Sequence, residues 1–241
     1  MNADRTRSTI PRRARAALLA AVLALASGPL LAIEPFSASY GASFMGLQAD
    51  GRMTLSADGQ DRWKYSLDIS GAGARLTQST VFEAKDGQWR PLSSVDTQRG
   101  ESGLGRVLVK NRTINAAYDW NSAQARWTGD IRPDRSGPVA LQAGDLDGML
   151  MNLALVRDVA AGKPLNYRLV EDGKVRRGAF RRAGTEQVTV DGRQYTATKV
   201  TWAEDRRSIT AWIVDGLPVP ARLLQQRDGR DHVDLRLRSL R

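Results

Sequence analysis

Asp-Gly pairs recur along the chain, at 50–51, 58–59, 86–87, 172–173, 191–192, 215–216 and 228–229 among others, nearly all between segments rich in aromatic and β-branched residues. Glycine accepts positive φ and aspartate tolerates it while bonding its own backbone, so such pairs favour tight hairpin turns. Hairpins repeated along one chain predict an antiparallel meander. The intervening runs agree through their alternation: Trp63, Tyr65, Leu67 and Ile69 fall on one face, Lys64, Ser66, Asp68 and Ser70 on the other. Comparable runs cover 36–44, 52–57, 77–84, 89–97, 106–109, 116–120, 125–129, 165–170, 176–182, 186–190, 195–202, 209–214, 222–227 and 232–237. About fourteen short strands predict a barrel, half-barrel or sandwich.

One stretch breaks the period of two. Between residues 145 and 161, Leu146, Met149, Leu150, Leu153, Val156 and Ala160 recur at helical spacing, with Asp145 as the expected N-cap and Gly162-Lys163-Pro164 as the stop. The expected fold is therefore mainly β: a curved antiparallel sheet, half-barrel or open barrel, packed on one amphipathic helix.

The net charge of +10 suggests a nucleic-acid partner until its distribution is considered. Residues 1–32 carry Arg5, Arg7, Arg12, Arg13 and Arg15 against Asp4 alone, followed by an apolar run from Ala16 to Ala26 and small residues up to Ala32. This is the pattern of an export signal for the general secretory route, too short to span a bilayer comfortably, cleaved after Ala32 or alternatively Ala26. Removing it leaves +6 on residues 33–241, read as a single β-rich domain with no stable membrane span after cleavage. The expected location is periplasmic, where nucleic acid is not a partner. The chain has no cysteine, which excludes disulfides, thiolate metal sites, a cysteine nucleophile and a lipoprotein anchor.

The order of features from residue 144 onward carries a resemblance. Asp145–Val159 reads DLDGMLMNLALVRDV, Gly162 opens GKPLNYRLV, and then come GTEQV at 184–188, YTATKV at 195–200, AWI at 211–213 and LPVPAR at 217–222. The chain resembles the bacterial envelope proteins grouped as domain of unknown function 3108, over roughly residues 36–238. Where members usually carry a small polar residue early in the helix, this chain has Gly148. The resemblance implies export and a curved antiparallel sheet cupping a helix, similar to periplasmic lipoprotein carriers. It implies no established activity.

Catalytic constellations are sparse. His232 is the only histidine, and alternation places it with the polar set opposite Val233 and Leu235, as an exposed strand residue. No cofactor or metal site is expected. Asp145 and Asp147 are read as helix-start residues, Glu204-Asp205 with Arg206-Arg207 as a charged turn, and Gly100–Gly105 as a flexible hairpin loop lacking the ending of a phosphate-binding motif. The pairs Arg176-Arg177, Arg181-Arg182 and Arg206-Arg207 are read as solvated surface, with an anionic envelope ligand as the alternative.

The remaining handle is apolar. Trp63, Tyr65, Trp202 and Trp212 on strand faces, with Met149, Leu150 and Leu153 on the helix, are the candidate lining of a pocket left where the helix covers the cup incompletely. The expectation is a non-enzymatic periplasmic protein binding a lipid, lipoprotein-like or other hydrophobic or anionic envelope ligand, or a protein partner. A carboxylate enzyme acting on envelope glycans through members of the set Asp145, Asp147, Glu186, Glu204 and Asp205, or a purely structural scaffold, are the alternatives.

Overall fold

Along β1 (Phe36–Phe44) every second residue is buried, Phe36, Ala38, Tyr40, Ala42 and Phe44, while the residues between them are only partly covered. The computed structural model describes residues 33–85 and 88–241, so the expected export segment at 1–32 and the Asp-Gly pair at 86–87 lie outside the described residues. The same one-sided burial recurs along β2 (Leu47–Ala57), β3 (Arg62–Gly71), β4 (Ala74–Lys85), β6 (Arg112–Asp119) and β7 (Gln124–Gly129); β5 (Gln88–Gly100) is covered less regularly, and the two-residue β8 (Val139–Ala140) ends this series. A second series follows, β11 (Arg181–Val190), β12 (Arg193–Glu204), β13 (Arg207–Val214), β14 (Arg222–Arg227) and β15 (Arg230–Leu240). Pairing of β1 with β15 joins the two meanders into one thirteen-stranded antiparallel sheet, ordered β11-β12-β13-β14-β15-β1-β2-β3-β4-β5-β6-β7-β8 and not closed into a barrel.

The turns explain the connectivity. At Asp172-Gly173, Asp191-Gly192 and Asp228-Gly229 both residues have positive φ, the two-residue hairpin geometry that these pairs favour. Asp50-Gly51, expected as a turn, instead runs through β2 in register with Tyr40 and Gly41. Met45-Gly46 and Ala72-Gly73 adopt the same positive-φ turns without an aspartate.

The concave side is filled by what lies between the two meanders. Helix α2 (Gly148–Ala160) packs against β3, β4 and the hairpin of β9 (Asn166–Glu171) with β10 (Lys174–Ala179). Leu146 bridges to β9, giving its N–H to the Arg168 carbonyl and accepting that of Val170. The helix is enclosed almost all round: Leu150, Ala154 and Leu155 are fully buried, and even Asn152 and Asp158 are covered. Enclosing one leucine is worth about 1.5–3 kcal/mol, several times the few tenths of a kcal/mol that separate ordinary helix propensities, so packing fixes the helix here. Its N-cap is Asp147 rather than the expected Asp145, because the Asp147 carboxylate accepts the Leu150 N–H at 2.8 Å. Asp145 instead accepts the Gln142 N–H and pairs with Arg168.

The run 106–109, expected as a strand, lies in the short helix α1 (Gly103–Leu108) and its end. Gly105 explains the difference, since a Cβ there would stand 2.1 Å from the Gly73 carbonyl oxygen. Only a glycine lets this turn dock on the β3–β4 hairpin, and the glycine-rich 100–105 segment is a fitted contact rather than a free loop. Residues 34–241 form one compact unit.

Candidate functional site

A cavity of about 250 Å³ remains on the concave side, where α2 and the β9–β10 hairpin leave the sheet uncovered. Its floor is apolar: Leu67, Ile69 and Leu76 from β3 and β4, Met149 from α2, and Leu223 and Leu235 from the second meander. Its other wall is charged, with Arg112, Arg176, Arg207 and Arg227 set against Asp96, Glu171 and Asp172. A more open hollow of about 220 Å³ shares Arg112, Arg176, Arg207 and Asp172 with the cavity and adds Arg132 and Arg135. Arginines therefore line both compartments and stand between them.

The arginine placement follows from strand periodicity carried one step too far. On β13 the inward series Ile213, Ala211, Ile209 continues to Arg207, and on β14 Leu223 and Gln225 continue to Arg227. The register sets Arg207 and Arg227 directly opposite each other, a like-charge cross-strand pair that costs stability. Among the described residues neither has a carboxylate in ion-pair contact, whereas Arg176 reaches Glu171 at 3.1 Å and Arg112 reaches Asp96 at 3.0 Å. Burial, and then the charges of Arg176 and Arg227, hold the Arg207 guanidinium below its usual range. Burial, Arg227 and Arg207 likewise lower His232, which favours its neutral imidazole. Of the three arginine pairs read as solvated surface, Arg181-Arg182, Arg177 and Arg206 are exposed, but Arg176 and Arg207 line the cavity.

The acids are displaced in the opposite direction. Burial pushes Glu171 up to about 7, with Arg176 opposing and Asp172 and Asp147 adding to the rise. The accessible 29% of its side chain borders the cavity, and one of its oxygens lies 2.6 Å from where a Cβ on Gly148 would stand. A residue larger than glycine at 148 would therefore push on this carboxyl. Burial also raises Asp147, against the Leu150 N–H and the Thr80 hydroxyl that it accepts, and Asp96, against Arg112. Three polar atoms at the cavity lining are buried with no hydrogen-bond partner: Asp96 Oδ1, Arg112 Nε and Asn152 Oδ1. Such orphans are costly in a fold.

Of the candidate apolar lining, Met149 and Trp202 border the cavity. Tyr65 is wholly buried with its hydroxyl on Met53 Sδ at 3.2 Å, Leu150 and Leu153 are packed in the core, and Trp63 stands at the end of β3 opposite Phe82; none of the four lines the cavity. Trp212 is on the other face of the sheet. Trp202 pairs with Ile209, and an odd step from Ile209 to 212 turns the indole away, beneath Arg222 and Lys199, with its N–H on Glu186 at 2.9 Å.

His232 is not an exposed strand residue. The β14–β15 register passes from Gln225–Val233 to Gln226–Asp231 and skips His232, and this bulge re-aims its ring onto Phe44 at the cavity wall. Of the carboxylates weighed for glycan chemistry, only Asp147 borders the cavity. Asp145 is buried beside Arg168, and Glu186, Glu204 and Asp205 are exposed elsewhere. Glu171, Arg227 and Asn152 carry no signal in the sequence beyond being polar where the inward series should be apolar.

A family model described as Protein of unknown function (DUF3108) matches residues 36–230. No curated protein matches the chain. Among solved structures, a β-barrel-like protein of domain of unknown function DUF1849 from Brucella abortus is 12% identical with a TM-score of 0.53, over 86% of this chain and 97% of that one. MucB is 12% identical with a TM-score of 0.35, over 86% of this chain and 52% of its own length. At such identity the first likeness speaks to the fold alone. No helix among the described residues is long and apolar enough to cross a membrane.

Proposed function

The chain belongs to the family described as Protein of unknown function (DUF3108), and we propose that it is a non-enzymatic envelope protein whose concave cavity holds one anionic amphiphile. The tail lies on the floor of Leu67, Leu76, Met149 and Leu223, and the headgroup sits between Arg207 and Arg227 with Arg176 beside them. The observation that carries this reading is the Arg207–Arg227 pair. Two like charges face each other with no carboxylate in ion-pair contact at the edge of the apolar cavity, an arrangement that an anion relieves. The cavity, at about 250 Å³, is just below the range of small-molecule sites, about 300–1,000 Å³, and the adjoining hollow of about 220 Å³ extends it on the charged side. Export through residues 1–32 belongs to the same proposal and would bring the protein to membranes rich in such molecules. Native mass spectrometry of the gently purified protein tests it. A co-purifying or added anionic lipid retained one to one is expected; a protein that takes up none would overturn it.

A second reading is favoured by one observation. Asp147 and Glu171 border the same cavity, and Glu171 at about 7 has the proton affinity of a general acid near neutrality. Turnover of an envelope glycan that disappears in Glu171→Gln would establish that reading, and absence of any turnover by the wild type would remove it.

A further inference from the structure

Six large apolar side chains are exposed among the described residues, and three of them, Leu104, Val107 and Leu108, belong to α1, at 61%, 80% and 47% exposure. Their exposure follows from how α1 is attached. It is anchored by backbone: Glu101 and Ser102 give their N–H groups to the Gly73 carbonyl at 2.7 and 3.0 Å, and Gly105 gives its own to Ala72 at 3.1 Å. Gly105 is buried against the hairpin and Val109 beyond the helix end is buried too. With the inner contact made by glycine, the larger side chains point outward.

Cations surround them. Within residues 99–110, Arg99, Arg106 and Lys110 are exposed against the single acid Glu101. Apolar side chains ringed by basic ones match the boundary of an anionic bilayer, where apolar groups enter the headgroup layer and each nearby Lys or Arg adds electrostatic attraction. A protein partner of purely apolar character would leave these cations without a role. We infer that α1 is a membrane-docking tip, inserting Leu104, Val107 and Leu108 into the headgroup region of an anionic bilayer while Arg99, Arg106 and Lys110 contact lipid phosphates. The tip adjoins the cavity: Leu76, Gln98 and Arg112, each within five residues of α1 or of the turn it sits on, line it. The inference stands whether or not the cavity holds a lipid.

The absence of cysteine makes a direct test available. Val107→Cys in the full chain gives a single thiol for an environment-sensitive fluorophore, and Gln194→Cys, exposed at the start of β12, is the control. With vesicles of phosphatidylcholine containing a minority of phosphatidylglycerol, the label at 107 shifts to the blue and the label at 194 does not. The shift weakens in high salt or with pure phosphatidylcholine. Leu104→Ser/Val107→Ser/Leu108→Ser, changed only at exposed positions, keeps its circular dichroism and loses roughly tenfold or more of the α1-dependent partition; residues 1–32 are the same in every protein compared. No shift at 107 on anionic vesicles, an equal shift on neutral ones, or a shift that grows with protein concentration without vesicles, which would report a second copy on α1, each overturns the inference.

Discussion

Arg207 on β13 and Arg227 on β14 face each other in register at the edge of an apolar cavity, and neither is in ion-pair contact with a carboxylate among the described residues. A like-charge cross-strand pair opposes folding by roughly 0.2–1 kcal/mol, so it marks a place where stability yields to something else. Arg207→Gln or Arg227→Gln is expected to leave the urea midpoint unchanged or raise it slightly. The same variants weaken binding of an anionic amphiphile about tenfold or more, as loss of a hydrogen bond to a charged group costs about 1.5–3 kcal/mol. Parallel urea and binding titrations check this, and a variant that loses both together would mean that the pair serves the fold.

Glu171 gives stability a defined pH dependence. Its carboxyl titrates near 7 in the folded protein against an ordinary value of 4.5. Between these values the folded chain keeps a proton that the unfolded chain releases, so the contribution of Glu171 to stability falls as pH rises from 4.5 to 7 and is flat above. Asp147 and Asp96 are raised in the same sense, so their contributions likewise fall as pH rises above 3.8. Urea midpoints measured across pH should show the upper part of this fall in the wild type and lose it in Glu171→Gln. Protonation of Glu171 also leaves Arg176 uncompensated, so an anionic ligand should bind more tightly at pH 6 than at pH 8, and Glu171→Gln should flatten that difference.

Asp147 ties helix to sheet. It caps α2 through Leu150 and accepts the hydroxyl of Thr80 in the middle of β4. Asp147→Ala removes a cap worth about 1 kcal/mol and leaves a buried hydroxyl without its acceptor at about 1–3 kcal/mol, for a loss of about 2–4 kcal/mol by chemical denaturation. Asp147→Asn keeps one oxygen for the Leu150 N–H and turns the other position into an N–H donor that the Thr80 hydroxyl can accept, so it should lose less than Asp147→Ala.

Trp202 and Trp212 should separate cleanly in fluorescence. Only the first borders the cavity; the second lies beneath Arg222 and Lys199 on the opposite face. A brominated amphiphile quenches by contact, and Trp127 borders the cavity as well, so Trp202→Phe should lose part of the quenching and Trp212→Phe very little. The reverse result would place the ligand on the outer face.

The β architecture was legible because alternation and turn chemistry are local. Trp63 to Ser70 announces its strand, and Asp191-Gly192 announces its hairpin. The failures share a different cause, since each depends on a partner distant in sequence. The run Arg106-Val107-Leu108-Val109 has the β-branched, apolar composition of a strand, and only the contact of Gly105 with Gly73 makes it helical. Alternation sends His232 outward, and a one-residue bulge in its pairing with β14 turns it back. Trp202 and Trp212 look alike in the sequence, and the register of β12 with β13 puts them on opposite faces. The cavity itself was least legible. Arg176, Arg207 and Arg227 come from three strands, and no local pattern says that they share a wall.

In the proposed function this wall receives an anionic headgroup above an apolar tail. Titration calorimetry of the wild type and Arg207→Gln/Arg227→Gln with a long-chain fatty acid and with the alcohol of the same chain length tests it most directly. The wild type should bind the acid at one site and clearly more tightly than the alcohol, and the double variant should lose that preference while keeping its fold. Equal affinity for acid and alcohol in the wild type, or an undiminished preference in the double variant, would contradict it.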